Sequence, residues 1–208
     1  DAMTLSNYTE LQTEIANFLN RDDLTSVIPT FVRLAEAKMN RDIRHWRMET
    51  RKTALLDTQF TALPLDFLSP VRMTLNTAET KVLELAGTNE ISKLRAEAGN
   101  ATGVPAYYAM IDGSVEVFPS PDADYTIEML YYEAIEGLSN SITTNWILTY
   151  YPDVYLYASL LQSAPYLMED NRIPVWGAYY TSALETLNQE NELAKTGGSG
   201  RRMKIRSY

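Results

Sequence analysis

Apolar residues recur at helical spacing over the first part of the chain. Residues 7–20 read as a helix, with Asn7 as its cap, Glu10 three positions on, and a stripe of Leu11, Ile15, Phe18 and Leu19. Arg21-Asp22-Asp23 reads as a turn. A second helix starts near Pro29, a residue suited to a first helical turn, and carries Ile28, Phe31, Val32, Ala35, Met39, Ile43 and Trp46 along about five turns. From about Arg47 the period shortens. Runs at 49–55, 59–62, 71–75, 81–85, 107–111, 114–118 and 125–133 are rich in Thr, Val, Leu, Phe and Tyr and are bounded by Gly, Pro, Asn and Asp, as strands are. Asp112-Gly113 between two of them predicts a type I′ hairpin. Residues 89–98 read as a short helix ended by Gly99-Asn100.

Helical spacing returns after Leu138. A short helix is expected at 145–149. A longer one runs from Pro152 to about Met168, with Pro165 kinking or shortening it, and the last spans Arg172 to about Lys195 on a stripe that includes Trp176, Tyr180 and Leu187. The resulting fold class is α+β. N- and C-terminal helices form a bundle (1–46 and 139–196), an antiparallel β-rich region (47–138) is inserted in it, and an extended tail follows at 197–208. Trp46, Trp146, Tyr155 and Trp176 fall at positions suited to the bundle or to an interface.

Charge divides the chain unevenly. The total is −9 over 208 residues, yet residues 53–194 carry five basic and nineteen acidic side chains, while 195–208 carry five basic and no acidic ones. An acidic body with a basic arm implies two different contact surfaces. The arm, Arg201-Arg202-Met203-Lys204-Ile205-Arg206-Ser207-Tyr208, follows a Gly-Gly-Ser-Gly linker, and its alternation of cations with Met203 and Ile205 suits strand addition to a sheet edge.

Composition argues against several chemistries. There is no cysteine, so disulfides, thiol catalysis and zinc–thiolate sites are excluded. The single histidine, His45, sits among cations in Arg44-His45-Trp46-Arg47 and cannot supply the two Glu-x-x-His pairs of a di-iron bundle. No P-loop, dinucleotide fingerprint or nucleophile elbow occurs, and the acid pairs Asp122/Asp124 and Glu169/Asp170 read as solvated turns. No enzyme, cofactor or metal is expected. No run approaches the length of a membrane span, and Asp1-Ala2-Met3-Thr4 has no signal-peptide character. One binding alternative stands. Arg33, Lys38, Arg41 and Arg44, continued by Arg47, Arg51 and Lys52, form a basic face suited to nucleic-acid phosphates. The competing reading of that face is a solvated surface with internal ion pairs.

The order of several segments resembles the tailed-phage head-to-tail adaptors, nearest to the tail tubular protein A group. They are Leu63-Pro64-Leu65-Asp66-Phe67, Gly103-Val104-Pro105-Ala106-Tyr107-Tyr108, Phe118-Pro119-Ser120-Pro121, Tyr131-Tyr132-Glu133, Asn145-Trp146-Ile147-Leu148, Tyr151-Pro152-Asp153-Val154-Tyr155 and Ala164-Pro165-Tyr166-Leu167. The resemblance implies a structural virion protein of the neck or tail, assembled in the host cytoplasm as a homo-oligomeric, dodecameric ring. Such a ring binds the portal above and a tail or nozzle protein below. DNA passes through it without sequence-specific binding, and no membrane is involved. It also implies that the basic arm, residues 201–208, reaches the portal.

Overall fold

The computed structural model describes residues 5–167 and 170–197. Asn7 caps the first helix, α1 (Tyr8–Leu19), its Oδ1 accepting from the Glu10 amide at 3.0 Å, while Glu10 reaches back to the amide and hydroxyl of Ser6, each at 2.8 Å. Asn7→Ala should cost about 1 kcal/mol, read as a lowered denaturation midpoint without loss of helical signal elsewhere. A 3-10 turn (Asp22–Val27) leads into α2 (Ile28–Asp42), which has Pro29 in its first turn.

The sequence stripe carries α2 on to Trp46, but the helix ends at Asp42 and Ile43 is extended, with ψ 132°. The Arg44 guanidinium folds back onto the terminal carbonyls of Asn40 (2.7 Å) and Ile43 (2.6 Å), meeting the need of a helix end for donors. Ile43 remains fully buried without being helical, whereas Trp46 is 41% exposed.

Residues 48–134 form one compact unit and the remaining residues another. The first contains β1 (Glu49–Leu56), β2 (Phe60–Ala62), β3 (Phe67–Leu75), β4 (Lys81–Leu85), α3 (Thr88–Glu97), β5 (Tyr107–Ile111), β6 (Ser114–Phe118) and β7 (Tyr125–Glu133). The strands make one seven-stranded sheet in the order β1-β7-β3-β4-β5-β6-β2. Asp112 (φ 40°) and Gly113 (φ 71°) make the β5–β6 turn, both with the positive φ of a type I′ hairpin. Its two end strands, β1 and β2, follow each other in sequence and meet at one point, where the Thr61 hydroxyl reaches the Leu55 carbonyl at 3.5 Å. The sheet is therefore a nearly closed barrel.

This corrects the expected bundle with an inserted β region: the protein is a mixed α/β molecule with six helices among the described residues. The reason lies in the strand alternation. Leu56, Met73, Leu75, Leu83, Tyr108, Val115, Val117, Ile127, Met129 and Tyr131 all face inward and form a core of their own, so the curled sheet needs no helical face to cover it. Nor is it wholly antiparallel. β4 and β5 pair in parallel (Glu84 with Tyr107, Leu85 with Tyr108), because the α3 crossover returns the chain in its starting direction. β3 also starts earlier than expected and includes Pro70, at a register irregularity opposite β7 and beyond the reach of its pairing with β4.

The other unit holds α1, α2, α4 (Trp146–Tyr150), α5 (Pro152–Leu161) and α6 (Arg172–Thr196). Its core includes Leu11, Ile15, Phe31, Val32, Met39, Ile147, Val154, Leu160, Trp176 and Leu187. The helix expected to run from 152 to 168 stops at Leu161, before the 3-10 turn at Ala164–Tyr166 that contains Pro165; Met168 lies outside the described residues.

Candidate functional site

The helical unit gathers its aromatic and cationic side chains where α2 gives way to the 3-10 turn Trp46–Met48. Two hydrogen bonds from Asn191 of α6 hold this junction: its Oδ1 accepts from the Trp46 amide at 2.9 Å, and its Nδ2 donates to the Arg44 carbonyl at 3.2 Å. The Arg47 guanidinium then lies between the rings of Trp46 (4.5 Å) and Tyr150 (4.1 Å). Trp46 and Tyr150 are both exposed, Tyr150 by 56%, so one face of this stack meets solvent. Beneath it, His45 is buried, stacked on Trp146 at 5.0 Å, with Nδ1 accepting from the Arg47 amide at 3.2 Å. Burial, then Arg47 and Lys195, push the imidazole below its ordinary pKa against the opposing pull of Glu190. Its first partners are rings and cations, a setting that favours neutral imidazole as a packing group.

A second polar centre escaped the sequence reading. Glu36 is buried in α2, and its Oε1 accepts from the Leu138 amide (2.7 Å) and the Tyr155 hydroxyl (2.9 Å). Asn145 donates to Tyr155 Oη (2.9 Å) and to the Glu136 carbonyl (2.7 Å), and Asn40 accepts from the Ile135 amide (2.8 Å). Gly137 belongs here for a steric reason: a Cβ on it would stand 3.1 Å from Glu36 Oε2. Burial raises the Glu36 carboxyl, against the lowering effect of Leu138, Tyr155 and Arg33. The signal was present in the sequence, since residue 36 lies four positions after Val32 and eight after Ile28, on the inward stripe of α2. This centre anchors the segment that returns from the barrel to the helices.

The basic face is split. Arg33 and Arg41 stand on the exposed side of α2. Lys38 pairs with Asp42 at 2.9 Å and lies 5.2 Å over the Tyr180 ring, whose hydroxyl donates to the same Asp42. Arg44 caps its helix. Arg51 and Lys52 belong to β1 in the other unit, paired with Glu128 (2.5 Å) and Asp66 (2.7 Å). Of the proposed bundle or interface residues, Tyr155 and Trp176 are core, Trp146 is half-buried and Trp46 is exposed. Asp122 accepts from Tyr125 at 2.6 Å and Asp170 pairs with Arg172 at 2.6 Å, while Glu169 lies outside the described residues. So do Arg201, Arg202, Met203, Lys204, Ile205, Arg206 and Tyr208 of the arm. Among the described residues no three His, Asp or Glu side chains gather as a metal site, and no helix is long and apolar enough to cross a membrane.

In the barrel a cavity of about 470 Å³ lies between residues 52–54 of β1 and the turn Leu63-Pro64-Leu65-Asp66, with Met129 beside it. Tyr131 donates to Asp66 Oδ1 at 2.8 Å, opposite the Lys52 contact on Oδ2. Burial would raise the Asp66 carboxyl, but the hydrogen bonds from Lys52 and Tyr131 outweigh it and hold the group below the usual carboxylate range. Lys52 is correspondingly pushed up by Asp66 and Tyr131. The Lys52–Asp66 pair thus lies along an open groove.

The family described as SU10 adaptor protein matches residues 6–203, nearly the whole chain. No curated protein sequence matches it. The chain belongs to the SU10 adaptor protein family and is a phage adaptor-type protein, hence a virion component of a structural, typically non-enzymatic kind.

Proposed function

We propose that this member of the SU10 adaptor protein family is the subunit of a head-to-tail adaptor ring, close in role to the tail tubular protein A group. Its copies close side by side, dodecameric as the resemblance implies, and the ring joins the portal to the next tail or nozzle protein around the DNA path. The observation that carries this reading is the exposed Trp46–Arg47–Tyr150 stack. Trp, Arg and Tyr are the residues that dominate protein interfaces, and here a hydrogen-bonded helix junction already holds them in place. Pre-ordered side chains lose little entropy on docking, so the stack is suited to repeated contact between identical subunits. The acidic body adds a second support. A passage lined with carboxylates lets DNA phosphates move without adhering.

Native mass measurement and electron microscopy of the protein, alone and mixed with portal, test the reading directly. A closed ring is expected; a species that stays monomeric in both settings would refute it. Trp46→Ala should leave the unfolding midpoint nearly unchanged, because the ring is exposed, yet weaken ring formation by at least about tenfold. Unaltered assembly would move the subunit contact elsewhere on the molecule.

A further inference from the structure

The barrel fails to close along one line, and the chain carries a segment suited to fill it. β2 is three residues long and pairs with β6, so it approaches β1 only near Leu55. Among the described residues, β1 pairs on its other side with β7 alone. Residues 51–54 thus present an open edge of backbone amides and carbonyls to the groove described above. The opposite wall is Leu63-Pro64-Leu65-Asp66, with Leu65 fully exposed at its rim and Leu55 and Phe60 exposed beside the seam. An open edge flanked by exposed apolar side chains is a template for one more strand.

Two properties of the sequence identify the strand. The barrel unit, residues 48–134, carries six basic and thirteen acidic side chains, a net −7. Residues 201–206 carry four cations, alternate them with Met203 and Ile205, and follow a glycine-rich linker. Period-two alternation puts Met203 and Ile205 on one face of an extended segment, the face a groove lined by Ala54, Leu63 and Met129 would receive. It leaves Arg202, Lys204 and Arg206 toward the acidic surface. Six extended residues span about 20 Å, enough to cover the open stretch 51–54 of the eight-residue β1.

We propose that residues 201–206 of one copy add as an edge strand to β1 of a neighbouring copy, closing that copy's barrel and tying subunit to subunit. The arm is then an assembly clasp between copies, in place of the portal tether that the resemblance implies. The proposal rests on the ring reading.

Because the chain has no cysteine, a single introduced pair reports the contact cleanly. The full chain carrying Thr53→Cys, an exposed position of β1, with Lys204→Cys, on the outward face of the proposed strand, should give a ladder of disulfide-linked oligomers under mild oxidation. It should form at least tenfold faster than with Val82→Cys and Lys204→Cys, a pair directed at the exposed side of β4. Equal rates for the two pairs, or linkage only within a single chain, would overturn the proposal. The full-length variant Met203→Glu/Ile205→Glu separates the arm from the ring itself. Rings that dissociate at least tenfold more readily support the clasp. Rings that persist unchanged but no longer bind portal overturn it and return the arm to the portal, leaving the ring reading intact.

Discussion

Replacing Arg95 by methionine should destabilise the barrel by about 3–5 kcal/mol, among the largest effects available to one substitution outside the main core. Arg95 is the only basic side chain of the α3 last turn, and it points into the sheet. Its guanidinium donates to Glu116 Oε1 (3.1 Å), the Val117 carbonyl (3.1 Å) and the Ser120 hydroxyl (2.8 Å), and lies 5.4 Å from the Phe118 ring. Both side chains of the pair are at most 14% exposed. Removing the cation leaves Glu116 buried with Gln59 as its remaining recorded partner, and an uncompensated buried charge costs far more than the pair contributes. Adding Glu116→Leu to Arg95→Met should therefore recover most of the loss. Amide hydrogen exchange across β5 and β6 measures both effects. An Arg95→Met protein with unchanged protection there would show that α3 is not latched by this pair.

Glu36 governs the second large effect. Glu36→Ala deprives the Leu138 amide and the Tyr155 hydroxyl of their acceptor and should lower the stability of the helical unit by about 3 kcal/mol. All three tryptophans lie in this unit, so their fluorescence follows its unfolding by urea. Glu36→Gln keeps an oxygen acceptor and removes the charge. Burial raises this carboxyl above its ordinary 4.5, so the folded protein holds the proton more tightly than the unfolded chain does. The stability linked to that proton is complete below the unfolded value and is lost as pH rises through the folded one. Relative to the native chain, the Gln variant should accordingly gain stability as pH rises from about 4 toward 7. Depressed groups such as Asp66 and Glu128 act in the opposite sense, losing their contribution as pH falls, and they do so equally in both proteins. A stability difference that is flat with pH would mean the Glu36 carboxyl is not strained by burial.

Local order was well written in the chain, and closure was not. Asn7, Pro29, Asp112-Gly113 and the strand alternations announce themselves because each acts within a few residues. The pairing of β1 with β7 joins Glu49 to Tyr132 and Leu56 to Tyr125, partners far apart in sequence, and no periodicity encodes which strands meet. The barrel was therefore read as an insertion. The same limit lengthened α2: Ile43 keeps to the apolar stripe because it is buried, although its backbone has left the helix. Trp46 could be named as an aromatic candidate, but only the Asn191 bonds and the Arg47 sandwich show why Trp46 faces solvent while Trp176 does not. Glu36 sat on the inward stripe in plain view, passed over because acidic residues on helices are usually solvated.

The pairing of Glu49 with Tyr132 also has a consequence for the order of events on the ribosome. The chain enters and leaves the barrel at adjoining strand ends, so residues 48–134 can close once their own last strand has emerged. α1 and α2 appear earlier, yet α5, the helix that packs on both, is synthesised only after the whole barrel. Until then α2, which carries the buried Phe31, Val32 and Met39, lacks the helix it packs on most. Nascent α1 and α2 are thus the sticky intermediate of this protein, and a chain stopped at residue 134 should precipitate through its helices while its barrel folds.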